Sequence, residues 1–347
     1  MAYDFENLVI KGGGVRGTVY LGALEVLSQR GILSNIKRVA GSSAGALSAL
    51  LVALFKDDWN TLNQQARSLH YPSVPDRPRS TDFDPPSMGK QIRDLYYPRG
   101  SFKAGLDSLV KGKIRDEPEK GSVRLLLHRY GLYTTHYIRQ WVLDQLGKKN
   151  KLSHTNYSET TTFRQLRSEG IELSITMTNL PLSQPMICNH FGQQNENLDV
   201  RVVDAVVASM SIPLFFTPLV IQGGYYKGVW VDGGMMNNFP ITLYDNPDGT
   251  PNGKTLGLFV YSKTRAVKEN YWIKDYLGGM VFSLLEAQDY AFHSRPQDVK
   301  RTIQIDDTGV SAVDFDITQN DSRYQKMVES GKKSANEYLD GLGSVPS

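Results

Sequence analysis

Two stretches near the start of the chain repeat one pattern. Leu8 to Ile10 is a short, β-rich apolar run followed at once by Gly12-Gly13-Gly14-Val15-Arg16-Gly17, and from Tyr20 to Leu33 apolar residues recur at helical spacing through Leu21, Leu24 and Leu27. Gly31 is placed to end that helix. Lys37 to Ala40 then reads as a second strand, and Gly41-Ser42-Ser43-Ala44-Gly45 turns directly into an apolar helix over Ala46 to Phe55. Strand, glycine turn and helix, twice over, predict an α/β sheet.

Further along, strand patterns occur at Ile171 to Thr178, near Pro185 to Asn189, at Tyr225 to Val231, Leu256 to Tyr261 and Thr302 to Ile305. Helices are predicted over Val202 to Met210, Asp275 to His293 and, as a charged C-terminal helix, Ser322 to Leu339. Between about 67 and 130 the texture changes, with prolines at 72, 75, 78, 85, 86, 98 and 118 and a local excess of basic residues. This stretch reads as an insertion or lid-like region in a single catalytic domain covering 1–347. Within it Tyr96-Tyr97-Pro98-Arg99-Gly100-Ser101-Phe102-Lys103 combines basic and aromatic side chains suited to touching a membrane surface. No repeat of fixed period is present.

Composition narrows the classes of function. The 347 residues, 40% hydrophobic and 22% charged, give a globular composition, and a net charge of +3 is too balanced to suggest nucleic acid as the main partner. The single cysteine, Cys188, cannot form an internal disulfide, so the reducing cytoplasm is the expected location. Met1 to Glu6 lacks the basic and apolar regions of a secretory signal. Ala44 to Phe55 is too short to span a bilayer, and Val202 to Ile221 is broken by Asp204, Pro213 and Pro218, so no transmembrane helix is expected.

Three motifs carry chemistry. Gly12-x-Gly14-x-x-Gly17 matches a dinucleotide fingerprint, but the second strand, Lys37-Arg38-Val39-Ala40, has no terminal acid for a ribose. A phosphate loop fails as well, because Thr18-Val19 follows Gly17 in place of Lys-Ser/Thr. What remains is a run of unobstructed N–H groups at a helix start, able to hold an oxyanion. Gly41-Ser42-Ser43-Ala44-Gly45 fits the Gly-x-Ser-x-Gly nucleophile elbow, with Ser43 central and Ser42 as a neighbour that serves as an internal control. Such a serine needs a base. Of the six histidines only His293 lies late enough for a hydrolase-like triad, whereas Asp232-Gly233-Gly234 places an acid at a strand end with two glycines that allow close approach.

Taken in order, these motifs resemble the patatin-like phospholipase family. The resemblance extends to Ala208-Ser209-Met210-Ser211-Ile212-Pro213, to Asn237-Asn238-Phe239-Pro240 and to Asp314-Phe315-Asp316. It implies a mostly parallel central sheet flanked by helices on both faces, Ser43 as nucleophile, Asp232 as general base and the amides of Gly12, Gly13, Gly14, Val15, Arg16 and Gly17 as the oxyanion hole. Gly41, Ser42, Ala44 and Gly45 would shape the elbow, and Gly233 and Gly234 would support the base. Implied too are hydrolysis of phospholipid or other acyl-lipid esters through an acyl-enzyme and transient membrane contact; no cofactor is expected, and because the sequence has no EF-hand or carboxylate cluster with calcium spacing and no Cys/His cluster with zinc spacing, neither calcium nor another metal is expected. Lys11 departs from the family pattern of an acidic or small residue before the glycines, a change expected to alter local charge more than chemistry. Gly13→Pro and Gly14→Val are expected to leave a folded but nearly inactive protein. Two other readings stand beside this one: a Ser-His esterase or acyltransferase acting on a small or thioester substrate, and a non-catalytic lipid-binding module. Oligomeric state and any protein activator are open.

Overall fold

Alternation along Asn7–Ile10 (β1) sends Leu8 and Ile10 into the main apolar core and Val9 into a second, smaller cluster with Ala40, Ile241 and Tyr244. The strand is therefore buried on both faces, as an inner parallel strand between packed layers should be. The computed structural model describes residues 3–77, 128–189, 197–263 and 273–343, together with Met88, Gln91 and Leu95. Among them the strands are β1, Arg38–Gly41 (β2), Gly131–Tyr133 (β3), Glu172–Asn179 (β4), Gln184–Cys188 (β5), Leu214–Phe216 (β6), Leu219–Ile221 (β7), Gly228–Asp232 (β8), Thr255–Tyr261 (β9) and Thr302–Asp306 (β10). The helices are Val19–Gln29 (α1), Ala44–Phe55 (α2), Trp59–Ser68 (α3), His136–Ser153 (α4), Phe163–Ser168 (α5), Val202–Ser209 (α6), Gly234–Asn237 (α7), Ile273–His293 (α8), Pro296–Lys300 (α9) and Ser322–Gly343 (α10).

The central sheet runs β10-β9-β1-β2-β4-β8-β7, with β5 also paired to β4. Five neighbouring strands, β10 to β4 in that order, are mutually parallel, while β8 and β5 pair antiparallel to β4. A mostly parallel sheet flanked by helices is the fold that the resemblance implies. β3 and β6 form a separate parallel pair.

Register places the site. Ile10 pairs with Gly41 and Gly41 with Ile175, so the glycine loop after β1 and the elbow after β2 leave the same edge of the sheet side by side. Two residues beyond Ile175, Met177 pairs with Asp232 at the end of β8. The antiparallel return of β8 thus brings Asp232 level with the residues that follow Gly41.

Local signals explain the ends of the elements. α1 stops where Gly31, at φ +70°, donates to Ser28 O while Ile32 donates to Leu27 O, a left-handed glycine cap with Ile32 and Leu27 both in the core. α10 lies across α1 at two glycines: a Cβ on Gly22 would sit 1.8 Å from Val328 O and one on Gly331 1.9 Å from Val19 O. The predicted strand over Tyr225 to Val231 begins only at Gly228, because the turn at Gly223-Gly224 leaves Tyr225 79% exposed. α3, α4 and α5 are elements that the pattern above does not bring out, although α4 buries Ile138, Trp141, Val142 and Leu146 at helical spacing. Of the insertion, the described part opens in the last residues of α3 and continues as a single turn over Tyr71–Ser73 with Val74 buried, and Tyr96 to Lys103 lies outside the described residues.

Candidate active site

Ser43 sits between β2 and α2 with φ 50° and ψ −127°, backbone that a non-glycine residue adopts only under constraint. Close glycine contacts make the turn possible. A Cβ on Gly41 would lie 2.1 Å from Gly45 O, and one on Gly45 would lie 2.3 Å from Ile10 O, so neither position tolerates a side chain. The Ser43 N–H donates to Ser209 Oγ at 2.9 Å, and its own Oγ donates to Asp232 Oδ2 at 2.7 Å.

Asp232 is fully buried, and its other oxygen, Oδ1, accepts the Gly234 N–H at 2.7 Å. Burial pushes its carboxyl up from 3.8 to about 7, although the hydrogen bonds from Ser43 and Gly234 pull the other way. A carboxylate poised there can exchange a proton near neutral pH. The Asp232 N–H is held by Ser211 O at 3.0 Å, so the segment Ala208 to Pro213 fixes both members of the pair, through Ser209 and Ser211.

The glycine loop faces the same cavity, whose lining includes Gly12, Gly13, Gly14, Ser43 and Asp232. Two of its amides are not available there: Gly12 N–H donates to Asn238 O and Val15 N–H to Ala312 O, each at 3.0 Å. This corrects the expectation of a hole drawn from the whole run Gly12 to Gly17. Among the described residues Gly13 and Gly14 N–H donate to no protein acceptor. Arg16 Nε donates to Gly13 O at 3.2 Å, and because the peptide is planar and trans, the Gly14 N–H then points away from Arg16. Arg16 is itself pinned by Asp307 and Ser262 and lies near Glu286.

Lys11 is nearly fully buried and lines the cavity. Its Nζ donates to Val260 O and to Asp289 Oδ2, both at 3.1 Å, and lies over the Phe259 ring. Desolvation lowers its pKa to about 8 against the opposing pull of Asp289. The unusual charge before the glycines is thus matched by an acid from α8. The same helix holds the segment after the base: Gln288 Nε2 donates to Gly234 O, and Gln288 Oε1 accepts Asn238 N–H. Sequence reading picked out Asn237 to Pro240 without a role, and gave no sign of Gln288 or of the Arg16 side chain as braces.

His293 is not brought to the serine. Its Nδ1 is bonded to Asp289 O and its Nε2 to Gln304 Oε1, on the face packed by Phe259 and Phe292. Ser42, the neighbour, is buried with its Oγ unpartnered. Phe315 packs on Phe215 and Phe216, while Asp314 accepts Ser311 N–H and Asp316 pairs with Arg323. Those two acids hold the C-terminal loop that presents Ala312 O to Val15. Among the described residues no group of three or more His, Cys, Asp or Glu is arranged to hold a metal ion.

A serine on a strained elbow is hydrogen-bonded to a buried acid at one edge of an α/β sheet, and the family comparison gives that arrangement a place. The patatin-like phospholipase family model matches residues 8–244, and the chain belongs to that family of lipid hydrolases. It is 26% identical over 334 residues to the uncharacterised Bacillus subtilis protein YqhO, covering 95% of this chain and 97% of that one. It is 22% identical to the uncharacterised protein R571 of Acanthamoeba polyphaga mimivirus, covering 97% and 94%. Among solved structures, VipD from Legionella pneumophila superimposes with a TM-score of 0.54 at 16% identity, over 97% of this chain and 67% of that one. That likeness is one of fold. Among the described residues no helix is long and apolar enough to cross a membrane.

Proposed function

We propose that the protein is a calcium-independent lipid acyl hydrolase that works through a Ser43–Asp232 dyad and an acyl-enzyme, cleaving carboxylic esters of membrane phospholipids from the bilayer surface. The 2.7 Å hydrogen bond from Ser43 Oγ to a fully buried Asp232 carries this reading. Asp232 takes the Ser43 proton as Oγ attacks the ester carbonyl, and the developing oxyanion meets the N–H groups of Gly13 and Gly14. The leaving alcohol departs with that proton, and Asp232 then activates the water that releases the fatty acid. Each preorganised donor is worth on the order of 10² to 10³ in rate. A histidine base is disfavoured, since both ring nitrogens of His293 are engaged elsewhere.

The test is hydrolysis of vesicles of a phospholipid with distinct sn-1 and sn-2 chains, in excess chelator, with products read by mass spectrometry. Parent and Ser42→Ala should release fatty acid at similar rates, and Ser43→Ala should release none. Loss of activity in chelator with recovery on adding calcium would overturn the metal-free mechanism, and activity in Ser43→Ala would overturn the nucleophile.

The acidity of Asp232 sets a pH dependence. The base must be ionised, so kcat/KM should rise about tenfold per unit below pH 7 and level off above it, the limb reporting the folded value of about 7. A rate already flat at pH 5 would place the base in an ordinary, solvated environment.

A further inference from the structure

Helix α8 is built the reverse way from an ordinary surface helix, which buries its apolar stripe and shows its polar one. Its inner face carries the charged side chains: Asp289 reaches Lys11 at 3.1 Å, Glu286 lies 3.9 Å from Arg16, and Gln288 beside them holds Gly234 and Asn238. Val281 and Phe292 are buried on the same side. The outer face, from Met280 through Ser283, Leu284 and Ala287 to Tyr290 and Ala291, is exposed and has no charge at any of these positions. Met280 and Leu284 are each more than half exposed, at 53% and 55%. These positions recur at the three- and four-residue spacing of one helix side and run for about 16 Å at 1.5 Å per residue.

α8 lies over the end of the sheet from which the catalytic residues leave. Lys11 follows Ile10, which pairs with Gly41 at the head of the elbow, so the Lys11–Asp289 contact sets the helix against that edge. Leu285 and Glu286 line the Ser43 cavity, so the cavity and the uncharged face are on opposite sides of one helix, about 10 Å across. Among the described residues nine large hydrophobic side chains are exposed, and seven of them gather at this end. Met280, Leu284 and Tyr290 are on α8, and Met236 is on α7, which packs against it. Leu180, Leu182 and Tyr225 stand on the β4–β5 and β7–β8 turns, which project past Gly41 because β4 continues beyond Ile175 and β8 returns alongside it. Leu152 and Leu342 are at the opposite end: Asn150 and Tyr157 tie the end of α4 to Glu169, before β4, and Asp340 pairs with Arg30 at the foot of α1. An apolar surface confined to the catalytic end is fitted to what that end must meet.

We propose that the outer face of α8 is the surface by which the protein docks on a lipid bilayer, seating the catalytic end against the membrane from which the ester is drawn. The assignment rests on Ser43 acting on membrane lipids, and that substrate names the occupant. Met280, Leu284 and Ala287 enter the apolar layer just below the head groups, and Tyr290 sits at the polar boundary. A face without charge owes its affinity to apolar burial and not to the charge of the lipid, so docking holds on zwitterionic head groups and at high salt.

The probe is sucrose-loaded phosphatidylcholine vesicles, sedimented with the full chain at about 0.1 M and about 1 M salt, with hydrolysis followed on the same vesicles and on dissolved 4-nitrophenyl butyrate. Wild type should sediment equally at both salt concentrations. Met280→Glu/Leu284→Glu should partition about tenfold less and lose vesicle hydrolysis in proportion, with butyrate hydrolysis unchanged. Leu152→Glu/Leu342→Glu, which changes two exposed leucines at the far end, should behave as wild type. Vesicle binding that survives in the α8 variant, or that needs anionic lipid and disappears at about 1 M salt, overturns the docking face. So does a loss shared equally by vesicles and butyrate, which marks a purely structural change, and so does a dimer that only the α8 substitutions dissociate while vesicle binding stays intact, which gives the face to a second copy of the chain. Failure of wild type to cleave either substrate while it sediments with vesicles overturns the hydrolase reading and leaves the docking face standing.

Discussion

Asp232→Asn is expected to fold, to melt at a higher temperature than the parent at pH 8, and to hydrolyse lipid about 10³- to 10⁴-fold more slowly. Asparagine keeps the shape and can still accept the Gly234 N–H, but it cannot take a proton from Ser43. The gain in stability follows from the raised carboxyl. In the unfolded chain the group ionises near 3.8 and in the folded protein near 7, so between those values the native state binds the extra proton. Folding stability therefore falls as pH rises from about 4 to about 7. Above that window the buried charge costs on the order of 4 kcal/mol, taking 1.36 kcal/mol per unit of pKa. The substitution removes this cost, so the difference in melting temperature should be largest at pH 8 and shrink towards pH 4. Calorimetry across that range, together with vesicle hydrolysis, checks both parts. A variant that melts lower than the parent at pH 8 would show that the carboxylate stabilises the site instead.

The second large effect belongs to the glycine loop, and it is an effect on folding. Gly14 has φ +59°, and a Cβ there would fall 2.1 Å from Ala312 O, the acceptor of the Val15 N–H. Gly14→Val adds a β-branched side chain to left-handed backbone and pushes it into a backbone atom that cannot swing aside. The expected loss is about 3 to 5 kcal/mol, from the left-handed conformation and the overpacking together. A urea titration should show the lowered midpoint. The folded but inactive protein expected of this variant from sequence alone is therefore not the expected product. Gly13 differs, since its φ of −166° is ordinary extended backbone and a Cβ there would meet the Val260 side chain. Proline at 13 would still need φ near −65°. Alanine at Gly13 is the milder way to perturb the amide run.

How far the site could be read beforehand depended on whether its signal was local. The two strand-turn-helix units stand in the chain as contiguous words, and a turn that needs glycine announces itself; hence β1, α1, β2 and α2 emerged close to their actual bounds, with Ser43 at the centre of its turn. The partnership of Ser43 with Asp232 depends on β8 returning antiparallel to β4, a pairing between residues some way apart that no local pattern encodes. It is suggested by the acid before two glycines at a strand end and by the resemblance, not by periodicity. The availability of individual amides was hidden for the same reason, because Asn238 and Ala312 reach Gly12 and Val15 from far along the chain. Arg16 reads in the sequence as a backbone donor and acts through its guanidinium, and Lys11 reads as a change of local charge, which in the fold is buried against Asp289. α4 is a different case: its spacing was legible in Ile138, Trp141, Val142 and Leu146.

The stretch that defines the family ends at residue 244, but the sheet does not. β9 forms the outer neighbour of β1, β10 follows it, and Gln288, Asp289 and Ala312 all reach back to the loop and the base segment. A fragment cut at the family boundary would open the backbone edge of the very strand that launches the glycine loop, and would bare the glycine face of α1 where α10 crosses it. The glycine loop and the Ser43–Asp232 pair are thus encoded early and braced late. The unit that folds, and therefore the unit that selection and engineering act upon, extends well past the stretch that the family model matches.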